Sequence, residues 1–180
     1  MIDILMDPHQ YQRLIIDVFQ SVMADWDEVN GLRIERESNF NVLSPITYDP
    51  ANRCIYVNAS QTLREYALGE QQSKDAYVKA SFNTILKTAK TGLPKTNVPE
   101  VFKDSLNLYC AFTVLHEIGH YVDQKTGGFE YLRLRNRYAS ECDSLPSEDV
   151  PYERASAYRR LPLERRADEL AIGWLRSLAY

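Results

Sequence analysis

One pentapeptide of the chain, His116-Glu117-Ile118-Gly119-His120, combines two imidazoles and a carboxylate at a spacing that suits metal chemistry. On an α-helix, residues four apart lie about 40° from each other around the axis, so His116 and His120 project from one face and can bind one ion. Glu117 is offset by about 100° from His116, which puts its carboxylate beside that ion. Two imidazole ligands and a glutamate that accepts a proton from metal-bound water are the working parts of a zinc hydrolase.

The segment around the pentapeptide is predicted to be a helix. Pro99 suits its first turn, and the pair Gly127-Gly128 follows as a stop signal, so we predict one helix from near Pro99 to near Lys125. Without a third ligand, the same pattern would also fit two hydrogen-bonded histidines on a buried helix. The apolar residues that recur at helical spacing opposite the histidines are Leu108, Ala111, Leu115, Ile118 and Val122.

The third ligand has to come from elsewhere in the chain. The one other histidine, His9, lies far upstream, and the positions at which the longer metzincin pattern requires glycine and histidine hold Asp123 and Thr126. A carboxylate from the segment LPLERRADELAIGWLRSLAY (161–180) fits better, because Pro162 suits a helix start there. The apolar stripe of this second helix comprises Leu163, Ala167, Leu170, Ala171, Trp174 and Leu178.

Two carboxylates of that second helix lie four residues apart at the edge of its apolar stripe. We expect Glu164 to reach the metal as the third ligand. We expect Asp168 to accept the free ring N–H of a metal-bound histidine, His116 in the first place, which fixes the tautomer and the orientation of that ring.

Three other side chains compete for the place of third ligand. Asp123 shares the face of the histidines, but capping or salt bridging is favoured because three ligands from one straight helix cannot easily surround a tetrahedral ion. Glu141 and Cys142 lie in a further predicted helix, although a lone cysteine is more often a small buried hydrophobe.

An HExxH motif followed by a helix that carries ExxxD is the gluzincin arrangement, and the chain more closely resembles the ImmA/IrrE family of small intracellular metallopeptidases. In that family the motif is followed by a helix of the pattern E-x-x-A-[ND]-x-x-A, which is similar to Glu164–Ala171 here. The family also has a short strand ending in Val-Asn before the active-site helix, similar to Cys54–Asn58. The resemblance implies that His116, His120 and Glu164 are zinc ligands, that Glu117 is the general base, and that Asp168 is the carboxylate behind the ligands.

The composition of the chain, with 44% hydrophobic and 26% charged residues, is ordinary for a globular protein. The length of 180 residues suits one zincin-like metallopeptidase domain over 1–180, and the net charge of −4 argues against direct nucleic-acid binding. The three cysteines form neither a disulfide framework nor a CxxC pair, which indicates a reducing compartment. With no signal peptide and no transmembrane stretch apparent, we expect a cytoplasmic protein that does not bind membranes.

The remaining segments predict a helix-rich α+β fold with a small antiparallel sheet of about three strands beside the pentapeptide helix. The predicted strands are one around Leu32 and Ile34, then Ile46 to Tyr48 and Cys54 to Val57. The other predicted helices are Pro8 to about Asp27, Gln61 to about Leu68, Gln71 to about Ala89, and Phe129 to about Glu141.

Arginines and tyrosines supply further candidates for the site. Arginines crowd the last third of the chain together with carboxylates, which favours a solvated, salt-bridged surface, and the alternative is a subsite for an acidic peptide. Arg165 and Arg166 flank Glu164 and could enter the cleft. Tyr121, Tyr152 and Tyr158 are candidates to stabilise an oxyanion, and the sequence does not choose among them.

The expected activity is zinc-dependent hydrolysis of peptide bonds, with an extended substrate aligned on an exposed sheet edge at Cys54 to Asn58. The family resemblance implies limited proteolysis of a regulatory protein, such as a transcriptional regulator. Two alternatives stay open: a non-catalytic zinc-binding regulatory or interaction module, and a metallopeptidase-like toxin or effector that depends on a partner.

Overall fold

The computed structural model describes residues 31–37, 46–58 and 63–178, so the helix predicted for Pro8 to about Asp27 lies outside the described residues. The helix-rich α+β class is confirmed. None of the described helices has the length and apolar character that crossing a membrane requires. The elements in chain order are β1 (Arg33–Glu37), β2 (Ile46–Asp49), β3 (Cys54–Asn58), α1 (Leu63–Gln72), α2 (Ala76–Lys90), α3 (Glu100–Lys103), α4 (Ser105–Thr126), α5 (Gly128–Asp143), α6 (Pro151–Arg159) and α7 (Pro162–Leu178).

The sheet differs from the expected one in the direction of one strand. β2 and β3 form the predicted antiparallel hairpin, with Tyr48 opposite Ile55, but β1 runs parallel to β3 on its other side. The antiparallel part therefore has two strands rather than about three. Apolar and polar residues alternate in the same way in both directions, so the sequence pattern could not distinguish a parallel from an antiparallel strand.

The strand order places the edge of the sheet elsewhere than predicted. β3 pairs with a strand on each side, so the expectation that Cys54 to Asn58 forms an exposed edge is wrong. β2 is an edge strand among the described residues, and it lies against α4. Two consecutive apolar segments with a turn between them predict a hairpin, but not which of the two strands faces the site.

The pentapeptide helix begins later than predicted. The single helix expected from near Pro99 is divided into α3 and α4 at Asp104, whose extended backbone (φ −73°, ψ 120°) interrupts the helical path. The Asp104 carboxylate accepts the backbone N–H groups of Leu106 and Asn107 at 2.7 and 3.1 Å. These are donors that would otherwise lack a partner at a helix start, so Asp104 is the N-cap of α4.

α4 is the central element of a continuous apolar core. Its buried side chains pack together with those of β2, β3, α1, α2 and α7. Four of the five residues predicted for its apolar face are buried, and Ala111 is half-buried. A small second cluster, formed by Tyr131, Leu134 and Leu163, holds α5 against α7.

The crossing of α4 and α7 is unusually close at one point. A Cβ atom on Gly119 would lie 2.7 Å from the carbonyl oxygen and 3.0 Å from the Cα of Ala167. Only glycine fits here, because an added methyl group would force the two backbones apart. Residues within one turn of this point on each helix are thereby brought together, among them the two histidines of α4 and two carboxylates of α7.

Candidate metal centre

Three potential ligand atoms converge beside the helix crossing. The Nε2 atoms of His116 and His120 lie 3.0 Å apart, and Oε2 of Glu164 lies 3.2 Å from the first and 3.7 Å from the second. A tetrahedral ion with bonds of about 2.1 Å separates its ligand atoms by about 3.4 Å, so these distances bracket the required value. This buried group could hold a metal ion.

The hydrogen bonds of His116 show why a cation fits at this point. Its Nδ1 donates to Oδ1 of Asp168 over 2.9 Å, because a carboxylate can only accept. In the neutral imidazole, the lone pair of Nε2 then faces the Glu164 carboxylate. Two acceptors at that distance repel each other unless a proton or a metal ion lies between them. Asp168 therefore has the contact that the sequence predicts for it.

Glu164 is buried, and its two oxygens have different partners. Oε2 faces the histidines, and Oε1 accepts a hydrogen bond from the hydroxyl of Tyr138 over 2.6 Å. Burial alone would raise the pKa of Glu164, but its close contacts with the His116 and His120 rings lower the pKa well below the usual range. The carboxylate is therefore ionised and ready to bind a cation.

Arg159 is the site residue that sequence reasoning missed. It belongs to the arginine-rich third interpreted as a solvated surface, yet its side chain is only 10% exposed. Its Nε donates to Oδ2 of Asp168 over 3.0 Å, another of its nitrogens contacts Oδ1 of the same carboxylate, and Nη1 lies 3.8 Å from Glu164. Burial lowers the pKa of Arg159. No sequence signal separates it from its exposed neighbour Arg160.

Glu117 lies at the same site but faces the sheet. Its Oε2 accepts the backbone N–H of Tyr48 over 2.7 Å, which ties the edge strand β2 to α4. The side chain is half-buried and borders the cavities on both sides of the ligand atoms. A carboxylate in this position is open to solvent and adjacent to the place that an ion would occupy.

Two cavities meet at the converging ligands and together form a cleft. The first has a volume of about 320 Å³ and the second about 610 Å³. Thr47, His116, Glu117, Tyr158 and Glu164 border both. The first cavity is otherwise lined by residues of β2, α4, α5 and the start of α7, and the second by residues of β2, α1, α2, α4 and α6.

Among the three tyrosines named as oxyanion candidates, Tyr158 is the one at the cleft. Its hydroxyl is 2.9 Å from that of Tyr138, which sequence reasoning did not single out. Burial raises the pKa of Tyr158, so the hydroxyl keeps its proton. Tyr152 is an exposed side chain, and Tyr121 is buried edge-on against Tyr48.

The two arginines that flank Glu164 in the sequence, Arg165 and Arg166, pair with other carboxylates and not with the metal-ligand group. Arg165 pairs with Glu169 on the exposed side of α7 at 3.4 Å. Arg166 donates through Nε to Asp123 over 2.8 Å, which confirms the salt-bridging role favoured for that aspartate.

The two remaining competing ligands also have other partners. Glu141 pairs with Arg137 at 3.1 Å, and Cys142 interacts with Tyr138. Among the described residues, the group able to hold an ion is therefore the one formed by His116, His120 and Glu164.

Comparison with known proteins adds nothing to this geometry. No protein-family model matches the chain, and no match was found among curated proteins or solved structures. Function is therefore inferred from the side chains of the cleft.

Proposed function

We propose that the chain is a zinc-dependent metallopeptidase that hydrolyses peptide bonds. The observation that carries the proposal is the meeting of His116, His120 and Glu164 from two separate helices, with Glu117 at the mouth of the same cleft. A structural zinc site is closed by four protein ligands, whereas three ligands facing a cavity are typical of a catalytic one. Two histidines with one carboxylate are a ligand set found in zinc peptidases.

Proton transfer during hydrolysis is assigned to Glu117, which Tyr48 positions. Zinc bound here would lower the pKa of a water molecule to about 7 and polarise the scissile carbonyl. Glu117 accepts the proton of that water and passes it to the leaving amine. The N–H of Tyr48 holds one oxygen of Glu117 in place and leaves the other available for the proton.

Residues behind the ligands keep the arrangement rigid. Asp168 fixes the tautomer of His116, and Arg159 holds Asp168 through two of its nitrogens. Tyr138 orients Glu164 through its second oxygen. The hydroxyl of Tyr158 can rotate from Tyr138 towards a substrate carbonyl oxygen, where it stabilises developing negative charge.

The substrate is proposed to lie extended along β2 rather than β3. β2 is an edge strand, and its residues Thr47 and Tyr48 border the cleft. A peptide can add to such an edge by main-chain hydrogen bonds. The family resemblance favours a cytoplasmic regulatory protein as the substrate, for example a transcriptional regulator cut at one or a few places.

A second function deserves a test because of one contact. The hydrogen bond from Tyr48 to Glu117 joins the sheet to α4, so Glu117 also has a structural role. A metal-binding interaction module without turnover would keep Glu117 for that reason alone.

The deciding experiment compares the wild type with Glu117→Gln and, as a control, with Glu169→Gln, which removes an exposed carboxylate on α7. Bound zinc is measured in each protein, and each is incubated with cell lysate whose new peptide termini are identified by mass spectrometry. We expect equal zinc in all three, and cleavage by the wild type and Glu169→Gln that falls about 10²–10⁴-fold in Glu117→Gln.

Two outcomes would count against the peptidase. Equal zinc with identical new termini in every sample would favour the interaction module. A wild type that binds no divalent metal would remove both candidate functions.

A further inference from the structure

A carboxylate held by two tyrosine hydroxyls lies in the second cavity. Glu70 of α1 accepts hydrogen bonds from the hydroxyls of Tyr66, over 2.9 Å, and of Tyr109. Among the described residues, no lysine, arginine or histidine forms an ion pair with it. Burial raises the pKa of Glu70, so the charged form is under-stabilised in this structure. A cation brought into the cavity would supply what is missing.

The walls of the second cavity are suited to a long cationic side chain. Aromatic rings and aliphatic groups form much of the lining, and aromatic faces attract ammonium and guanidinium groups. The aliphatic stem of a lysine or arginine can lie along such a surface while its charged end reaches a carboxylate. The aromatic and aliphatic side chains in question are Tyr66, Tyr77, Ile85, Tyr109 and Phe112.

The arginines nearest the cavity do not already fill this role. Arg159 borders it but is held by Asp168 and sits over the ring of Phe112, 5.8 Å from the ring centre. Arg154 lies over Tyr77 and donates to the carbonyl oxygen of Pro146.

The position of Glu70 relative to the metal centre indicates which cation fits. Tyr109, which holds Glu70, lies about two turns before His116 on α4, a separation of about 10 Å along the helix axis. A substrate α-amine next to the scissile bond would lie much closer to the ligands than this. The side chain of a residue near that bond, by contrast, can extend over such a distance.

We propose that the second cavity is a specificity subsite for a lysine or arginine side chain of the substrate, with Glu70 as the residue that selects it. The inference rests on the proposed peptidase function, since it assigns a side-chain preference to the same cleft. Glu70 lies on α1, which carries none of the metal ligands, so this side chain can be altered without touching them.

A binding experiment tests the subsite independently of turnover. Nα-acetyl-lysine N-methylamide and its norleucine analogue, which has the same stem without the charge, are titrated into Glu117→Gln, and dissociation constants are measured from NMR chemical shifts. The same titrations use the double variants that add Glu70→Gln or, as a matched control, Glu148→Gln. Glu148 borders the same cavity but is an exposed side chain.

We expect the lysine probe to bind about 10–100-fold more tightly than the norleucine probe, since a hydrogen bond to a charged group has that effect. The preference disappears with Glu70→Gln and remains with Glu148→Gln. Equal binding of the two probes, or a preference that survives Glu70→Gln in a folded protein, would overturn the subsite. Thermal unfolding of each variant establishes that it is folded.

A cleavage experiment separates failure of the subsite from failure of the function. Wild type, Glu117→Gln and Glu70→Gln are incubated with a proteome-derived peptide library, and residues around the new termini are counted. Glu117-dependent cleavage enriched for lysine or arginine, with the enrichment lost in Glu70→Gln, supports both proposals. Glu117-dependent cleavage without that enrichment overturns the subsite alone. Absence of Glu117-dependent cleavage overturns the peptidase, and the binding titration then decides whether the cation site exists.

Discussion

Two arginine–aspartate pairs lie where the C-terminal helices meet α4, Arg159 with Asp168 between α6 and α7 and Arg166 with Asp123 between α7 and α4, and they differ in how the aspartate is used. Asp168 bonds to Arg159 through both oxygens and also accepts a hydrogen bond from the ring of His116. Asp123 accepts both nitrogens of Arg166 on one oxygen, while its other oxygen has no partner among the described residues. The same two residue types thus form one pair at the metal centre in which both carboxylate oxygens have partners, and one pair a turn further along α4 in which only one oxygen has a partner among the described residues.

The difference in solvent access is equally clear. Arg159 is 10% exposed and Arg166 is 33% exposed, although both aspartates are buried. Water can replace Arg166 at Asp123 far more readily than it can replace Arg159 at Asp168. The comparison teaches that the residue types of an arginine–aspartate pair do not reveal its role. The role is shown by the other contacts of the carboxylate, here the hydrogen bond between Asp168 and His116.

The largest expected effect comes from removing the two arginines. Arg159→Met should lower the free energy of unfolding of the metal-free protein by about 3–5 kcal/mol, because a buried carboxylate loses its partner. Arg166→Met should cost about 1–3 kcal/mol, since water reaches the vacated place. Urea denaturation of both variants measures the difference, and equal losses would contradict the distinction between the two pairs.

The next effect is on metal affinity and concerns the aspartates. Asp168→Asn should weaken zinc binding by about 10–100-fold, because the acceptor that orients His116 is changed. Asp123→Asn, the matched change in the other pair, should leave zinc affinity unaltered. Competition with a chromophoric chelator measures both affinities; a similar weakening in the two variants would show that the effect is general instability.

The smallest effect is expected at a third, exposed pair, in which Arg64 lies 3.2 Å from the N-cap Asp104. Burial acts to raise the pKa of Asp104, but hydrogen bonds from Arg64 and from two backbone N–H groups lower it overall. A lowered folded-state pKa means that the stabilisation is present above the unfolded value of about 3.9 and is lost as the pH falls through the folded value.

Asp104→Asn tests this, since asparagine is also a good N-cap and the change removes only the charge. The thermal midpoint of the wild type should exceed that of Asp104→Asn at pH 6, and the gap should close as the pH falls below about 4. A gap that stays constant across this range would show that the charge has no stabilising role.

What the sequence predicted correctly depends on local periodicity. The spacing of His116, His120, Glu164 and Asp168 can be read from the 3.6-residue repeat, and the structure brings these four side chains together. Pro162 begins α7 as expected. The break before α4 could have been found too, because Asp104 is a favoured N-cap residue directly before a helical pattern.

What the sequence could not predict depends on contacts between elements. Arg159 and Tyr138 reach the centre because α6 and α5 pack beside α7, and neither residue has a local pattern that distinguishes it from its neighbours. The direction of β1 and the central position of β3 are likewise properties of strand pairing. Glu70 borders the cleft because α1 packs beside α4, where the hydroxyl of Tyr109 donates to it.

Counting formal charges at the centre has one more consequence. The carboxylates of Glu117, Glu164 and Asp168 outnumber the single guanidinium of Arg159 by two, if both imidazoles are neutral. One divalent ion would balance these charges, so it could lose its hydration shell at this centre without leaving net charge behind.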